Sequence, residues 1–210
     1  MSVAGQTMTE TIDRLADGFQ NIADPIGQIE QSLMQPDRLS RSANTTEQFK
    51  ISEILHDCIA LLPKGSRQDI DIRLDSGLNN IAPLYSSRVA LTHILCNLLS
   101  NSVDSIRTAG VNGIITIKGG LDTLVGKRVL HIVVQDNGCG ITEDQLKQIF
   151  QRGFTTKQTG TRGMGLHWCA NTINAMNGRI WAESQGTNQG AAFHILFPYE
   201  PAAEAIGTNA

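Results

Sequence analysis

Val133-Val134-Gln135-Asp136-Asn137-Gly138-Cys139-Gly140-Ile141 ends an apolar run that begins at Val129, and the fold is decided by how this stretch is read. A carboxylate at the end of a buried strand must be paired or hydrogen-bonded, because an unpartnered charge in apolar surroundings is costly. The glycines permit a sharp turn and let a flat ligand come close to the backbone. Taken alone, the same residues also read as a tight turn with a solvated Asp-Asn pair. Two phosphate-loop types are excluded. The third glycine of a dinucleotide fingerprint would fall at Glu143, and no GxxxxGK[ST] occurs anywhere.

Upstream, Ser87 to Ile106 is predicted as a long helix with Leu91, Ile94, Leu95, Leu98, Leu99 and Val103 facing inward. Asn97 and Asn101 stand four apart on a different face, so their amides stack. Such a pair binds a metal ion through oxygen or phosphate oxygens through nitrogen, unless both simply point into water. Asp104 follows on the same helix. Downstream, IFQRGFTTK (Ile149–Lys157) and QTGTRGMGL (Gln158–Leu166) place Phe150 and Phe154 as pins of a loop. Thr155, Thr156, Lys157 and Arg162 come next, and Gly160, Gly163 and Gly165 lead into a helix predicted for Gly165 to Met176. A glycine-rich segment feeding a helix N-terminus is a generic anion site, since free N–H groups and the dipole face the ligand. A floppy polar loop is the plain alternative. An amide pair, a strand-end carboxylate and a phosphate-binding helix start together suit a nucleotide with Mg²⁺.

The remaining chain sets these segments in a frame. From Thr9 to Met34, Ile12, Leu15, Phe19, Ile22, Ile26, Ile29 and Leu33 recur at helical steps, with a break expected at Asp24-Pro25. A helix with one apolar stripe needs another helix, from a second chain or from a missing segment. Gln35 to Gln48 reads as a polar linker. Phe49 to Leu62 is an amphipathic helix ended by Pro63-Lys64-Gly65, and Ile70, Ile72 and Leu74 mark a half-buried strand. Ile114–Lys118 and Val129–Gln135 pair across a glycine-containing loop, and a loop with short helices spans Asp136 to Gly163. Arg179–Ser184 and Ala191–Phe197 are closing strands, and Pro201–Ala210 is a frayed tail. The order places a helix layer on one face of a mixed, mainly antiparallel sheet, in the α+β class. The expected division is 1–45 helix and linker, 46–200 globular domain, and 201–210 disordered tail.

Composition narrows the function classes. Of 210 residues, 40% are hydrophobic and 18% charged, as in ordinary globular chains. The net charge of −3 gives no basic footprint for nucleic acid or an anionic membrane. The apolar runs are too short to span a bilayer, and MSVAGQTMTE lacks the features of a signal peptide. Cys58, Cys96, Cys139 and Cys169 are scattered without a CxxC pair, which fits reduced thiols in a cytoplasmic protein.

Four segments then carry a resemblance. Asn97-Leu98-Leu99-Ser100-Asn101 with Asp104, Asp136-Asn137-Gly138-Cys139-Gly140-Ile141, Phe150 with Gly153-Phe154-Thr155-Thr156-Lys157, and Gly163-Met164-Gly165-Leu166 resemble the N, G1, F and G2 boxes. These boxes belong to sensor histidine kinases of two-component systems, within a wider ATPase superfamily that includes Hsp90, gyrase B and MutL. The resemblance covers about Phe49 to Pro198 and implies a Bergerat-type α/β sandwich with ATP under a mobile lid. It implies that Asp136 takes the adenine amino group, with Gly138 and Gly140 beside the base. Asn101 would be the Mg²⁺ ligand and Asn97 a second polar contact near the phosphates. Gly163, Met164, Gly165 and Leu166 would meet the phosphates at the helix start. Phe154, Thr155, Thr156, Lys157 and Arg162 would line the lid, the last two supplying phosphate charge. Asn97, Asn101 and Lys157 would then be the catalytic set.

The chain departs from the family pattern in three places. ATP-hydrolysing relatives typically carry a glutamate at the position of Asn97; an amide cannot act as a base, so the resemblance favours phosphoryl transfer. A threonine that precedes the Phe of the last strand in many kinases is replaced by Ala192. No histidine lies on the N-terminal stripe: His56, His93, His131, His167 and His194 all fall in the globular part. His56 reads as a surface residue and His167 as a packing one. Gln20 to Pro25 faintly resembles an acceptor box with Gln in the place of histidine, but the distance to Phe49 is short for a full hairpin. Thr9 to Met34 is accordingly read as the second hairpin helix, with the acceptor helix absent. The implied partners are ATP, a dimerisation and phosphoacceptor domain, a response regulator, and a second copy through the N-terminal helix. Left open are a serine/threonine kinase of the anti-sigma-factor type, a conformational clamp like Hsp90 or MutL, and a silent nucleotide-binding or docking module.

Overall fold

The computed structural model describes residues 45–63, 65, 67–156 and 163–201. The apolar stripe and linker expected before Thr45 lie outside the described residues, as does the tail beyond Pro201. The elements run β1 (Glu47–Phe49), α1 (Ile51–Leu61), β2 (Ile70–Leu74), a 3₁₀ turn (Ser76–Asn80), β3 (Leu84–Ser86), α2 (Arg88–Ala109), β4 (Gly113–Leu124), β5 (Lys127–Asp136), α3 (Glu143–Leu146), α4 (Gly165–Ala175), β6 (Arg179–Glu183) and β7 (Ala191–Pro198).

Local chemistry sets the ends of α2. The Ser87 side chain accepts from the Ala90 amide, and Gly110 takes a left-handed φ of 65° just past the last turn, where Arg107 also sits. Leu91, Ile94, Leu95, Leu98, Leu99 and Val103 are all buried, as their spacing predicts. They join one core with Ile115, Ile117, Leu130, Ile132, Val134, Phe193, Ile195 and Phe197 from the sheet.

That sheet has the order β2-β4-β5-β7-β6, with β2 parallel to β4 and every other pair antiparallel. It is the mixed, mainly antiparallel sheet that the sequence predicts. Burial alternates strictly along β7, so one face is apolar and helix-covered. The other face carries His131, His194 and Trp181, with the His194 and Trp181 rings stacked at 4.7 Å.

Three details differ from expectation. Phe49 does not begin a helix; it pairs with Leu84 in a small β1–β3 sheet, a long-range contact that local periodicity cannot show. Pro201 bridges Leu84 at the edge of the same sheet. The β4–β5 connection is a two-residue turn, because Leu124 pairs directly with Lys127 and Val125 and Gly126 both have positive φ. The strands continue well beyond the apolar residues that reveal them.

Candidate functional site

α2 is the wall on which the site is built. Asn97, Asn101 and Ser105 follow one another at four-residue steps, so they line one stripe about 12 Å long. At one end of it, the Asn101 amide nitrogen donates to Asn97 Oδ1 at 3.0 Å. Asn97 is 6% exposed, which removes the reading of a water-facing amide pair. The first residue of α4 meets it there: a Cβ on Gly165 would collide with the Asn97 amide. The N box and the helix start downstream of Gly163 are therefore in contact.

At the other end, Asp136 closes β5 with only 5% of its surface exposed. Its Oδ1 accepts from Ser105 Oγ at 3.1 Å and from the Gly138 amide at 2.9 Å. Its Oδ2 is buried without a hydrogen-bond partner, and so is Ser102 Oγ. Burial pushes the Asp136 carboxyl above the usual carboxylate range. The Gly138 amide, Ser105, Ser102 and the Ala191 backbone pull it down, the last two without closing a hydrogen bond. A buried carboxylate oxygen with no donor is an acceptor held ready for a ligand's N–H or O–H.

The loop after Asp136 is fixed on both sides. The Cys139 amide donates to the Ser105 carbonyl and hydroxyl, both at 3.1 Å. The Asn188 amide donates to the Cys139 carbonyl at 2.7 Å, and the Gly190 amide to the Gly138 carbonyl at 3.2 Å. Asn137 is structural: it accepts from the Ile114 amide at 2.7 Å and donates to the Asn112 carbonyl at 2.9 Å. A Cβ on Gly138 would strike Ser105, and one on Gly140, whose φ is +69°, would strike the Gly186 carbonyl. The need for glycine at 140 thus arises from the neighbouring loop as well as from any approaching base.

The lid side is held from below. Phe150 and Phe154 are half-buried against the core, and the Gly153 amide donates to the Gly163 carbonyl at 3.0 Å. His167 Nδ1 lies 3.1 Å from the Phe150 carbonyl, so this histidine anchors the loop. Thr155 and Thr156 are exposed, while Met164, Leu166 and Asp104 are half-buried. Lys157 and Arg162 lie outside the described residues.

Sequence reasoning missed Ser102, Ser105, Gly186 and Gly190; for Ser105 the signal was its place four residues beyond Asn101. Ala191, not Ala192, pairs with Asp136 and shares its buried face, whereas Ala192 pairs with Gln135 on the outer face. The two-residue side-chain period of a strand makes the difference. Among the described residues no group of three or more His, Cys, Asp or Glu could hold a metal ion, so cation ligation here would rely on amide and ligand oxygens. No described helix is long and apolar enough to cross a membrane.

Residues 86–201 match the family described as histidine kinase-, DNA gyrase B-, and HSP90-like ATPase. Sporulation kinase E of Bacillus subtilis (strain 168) is 33% identical over 159 residues, covering 75% of this chain and 20% of that protein. The catalytic domain of histidine kinase ThkA matches with a TM-score of 0.60 at 28% identity, covering 75% of this chain and 97% of that one. Full-length ShkA in complex with AMPPNP shares the fold at a TM-score of 0.64 and 22% identity, over 80% of this chain and 34% of that one. The chain spans between 20% and 31% of the length of the first curated relatives it matches.

Proposed function

Because this chain belongs to the histidine kinase-, DNA gyrase B-, and HSP90-like ATPase family, we propose that it is the ATP-binding catalytic domain of a sensor histidine kinase. The observation that carries the reading is the buried Asp136 carboxylate, one oxygen fixed by Ser105 and Gly138 and the other without a donor. An adenine amino group supplies the missing donor. The stripe along α2 then leads from the base to the phosphates, with Asn97 and Asn101 at the far end beside the start of α4.

These residues fit a Mg²⁺-nucleotide. Asn101 carries an amide oxygen, the kind of donor a hard cation takes, and its nitrogen donates to Asn97. Bound Mg²⁺ neutralises charge on the phosphate oxygens. Gly163 and Gly165 present backbone N–H groups to the same phosphates, and Lys157 and Arg162, just before them in sequence, add positive charge. Asn97 takes up no proton, so the site positions the γ-phosphate for attack by a histidine instead of activating water. Of the chain's five histidines, His56 is the exposed one, and its Nδ1 lies 2.6 Å from the Ser52 carbonyl on its own helix. The reading assigns the acceptor to a dimerisation domain, with a response regulator downstream and the domain at work in the cytoplasm, and a phosphohistidine formed on His56 by the chain alone would overturn that assignment.

Isothermal calorimetry with a non-hydrolysable ATP analogue, with and without Mg²⁺, tests the constellation. Binding that Mg²⁺ strengthens is expected. Absence of binding by the folded wild-type chain overturns the reading.

A further inference from the structure

We propose that Cys58 and Cys96 are a redox modification site: a hydroperoxide converts them to a reversible disulfide that staples α1 to α2. The two residues are 38 positions apart in sequence, yet their sulfurs lie 2.9 Å apart. Both are thiols. The sulfurs are already in contact across the two helices, and a bond of about 2.05 Å needs a further approach of under ~1 Å. Cys58 is 1% exposed and directs its Sγ at the Thr92 carbonyl, 3.4 Å away on α2. Cys96 is half-buried and accessible to a small oxidant.

The two thiols differ in the way a stepwise oxidation requires. Cys96 is half-buried and within reach of peroxide, so it is the attacking sulfur, and Cys58, 1% exposed and in contact with it, is the resolving one. The Cys96 thiolate attacks the peroxide O–O bond, the Cys58 thiol then displaces the sulfenic hydroxyl, and two thiols plus H₂O₂ give one disulfide and two waters. The peroxide is reduced and the sulfur pair is oxidised by two electrons. Dithiothreitol reverses the change.

Cys139 Sγ has oxygen neighbours, Ser105 Oγ at 3.5 Å and the Gly140 carbonyl at 3.6 Å, so Cys139 serves as an internal control. The full chain is treated with hydrogen peroxide, quenched, denatured, alkylated and peptide-mapped. The expected result is a Cys58–Cys96 cross-linked peptide two hydrogens lighter than its reduced parts, with Cys139 alkylated. The oxidised chain melts about 5–10 °C higher, a shift that dithiothreitol removes. In Cys58→Ser, Cys96 gains oxygen without cross-linking. Alkylation of both Cys58 and Cys96 after peroxide, oxygen addition at wild-type Cys96 without a cross-link, or a cross-link between chains overturns the proposal. No nucleotide enters the experiment, so it stands or falls independently of the ATP reading.

Discussion

The two ends of β5 are both glycine turns, and they behave in opposite ways. At the Lys127 end, the chain reverses through Val125 and Gly126. Val125 is 94% exposed, and a Cβ on Gly126 would meet nothing within 4 Å. At the Asp136 end, Gly138 and Gly140 are walled in by Ser105 and by the Gly186 carbonyl, and a Cβ on Gly190 would strike the Asp136 carbonyl. The first turn needs only to reverse direction, so any residue that tolerates positive φ would serve. The second must hold a carboxylate in a fixed, dry setting, and its backbone is hydrogen-bonded on both flanks. One strand therefore connects a tolerant end to a functional one.

The sharpest way to break this contrast is Asp136→Asn. It keeps an oxygen for Ser105 and Gly138 but removes the charge and places an N–H₂ where a donor should dock. Nucleotide affinity is expected to fall about 100-fold by calorimetry, the scale of losing a charged hydrogen bond, while the melting midpoint stays level or rises. A variant that binds as tightly as wild type would remove Asp136 from the site. Gly138→Ala comes next. Its Cβ cannot avoid Ser105, so the loop or α2 must shift, at a cost of about 1–3 kcal/mol in denaturant unfolding. Gly126→Ala, with open space around it, pays only for its positive φ and is expected to lose less.

The pH dependence separates the two ends further. Burial raises the Asp136 carboxyl above its ordinary 3.8. In the window between that value and the raised one, the folded chain binds more protons than the unfolded chain. Stability therefore falls as pH rises through the window. Nucleotide affinity runs the other way, since the ionised carboxylate is the better acceptor, and it climbs over the same range. Paired melting and binding titrations check both slopes. Asp136→Asn is expected to flatten both, and a change in the Val125-Gly126 turn neither.

The same contrast explains what could be read from the sequence. The Asp136 end announces itself through composition, because a carboxylate closing an apolar run and followed by glycines is chemically conspicuous. The inward face of α2 is equally legible, since Leu91 to Val103 keep a helical period. Ser105 was not legible as the partner of Asp136, because the bond joins residues 31 apart and a serine on a helix says nothing about what lies across from it. β1 and β3 were hidden for the same reason: each has three residues and exists only through the other. The pairing of the hairpin was legible but its length was not, because the strands run on past the core, where Lys127, Arg128 and Asp122 carry no apolar alternation.

The smallest prediction belongs to the tolerant end. A two-residue turn with positive φ at both positions favours Asn-Gly, and here the first position is Val125 at φ 50°. A β-branched side chain is poorly suited to that region, since its Cβ crowds the backbone carbonyl. Nothing in the fold repays the strain, because the side chain projects into solvent. Val125→Asn is therefore expected to raise stability by about 0.5–1 kcal/mol in denaturant titration, without changing nucleotide affinity. Loss of stability would mean that Val125 contributes something the exposed turn does not show. A change in affinity would mean that the two ends of β5 are coupled along the strand.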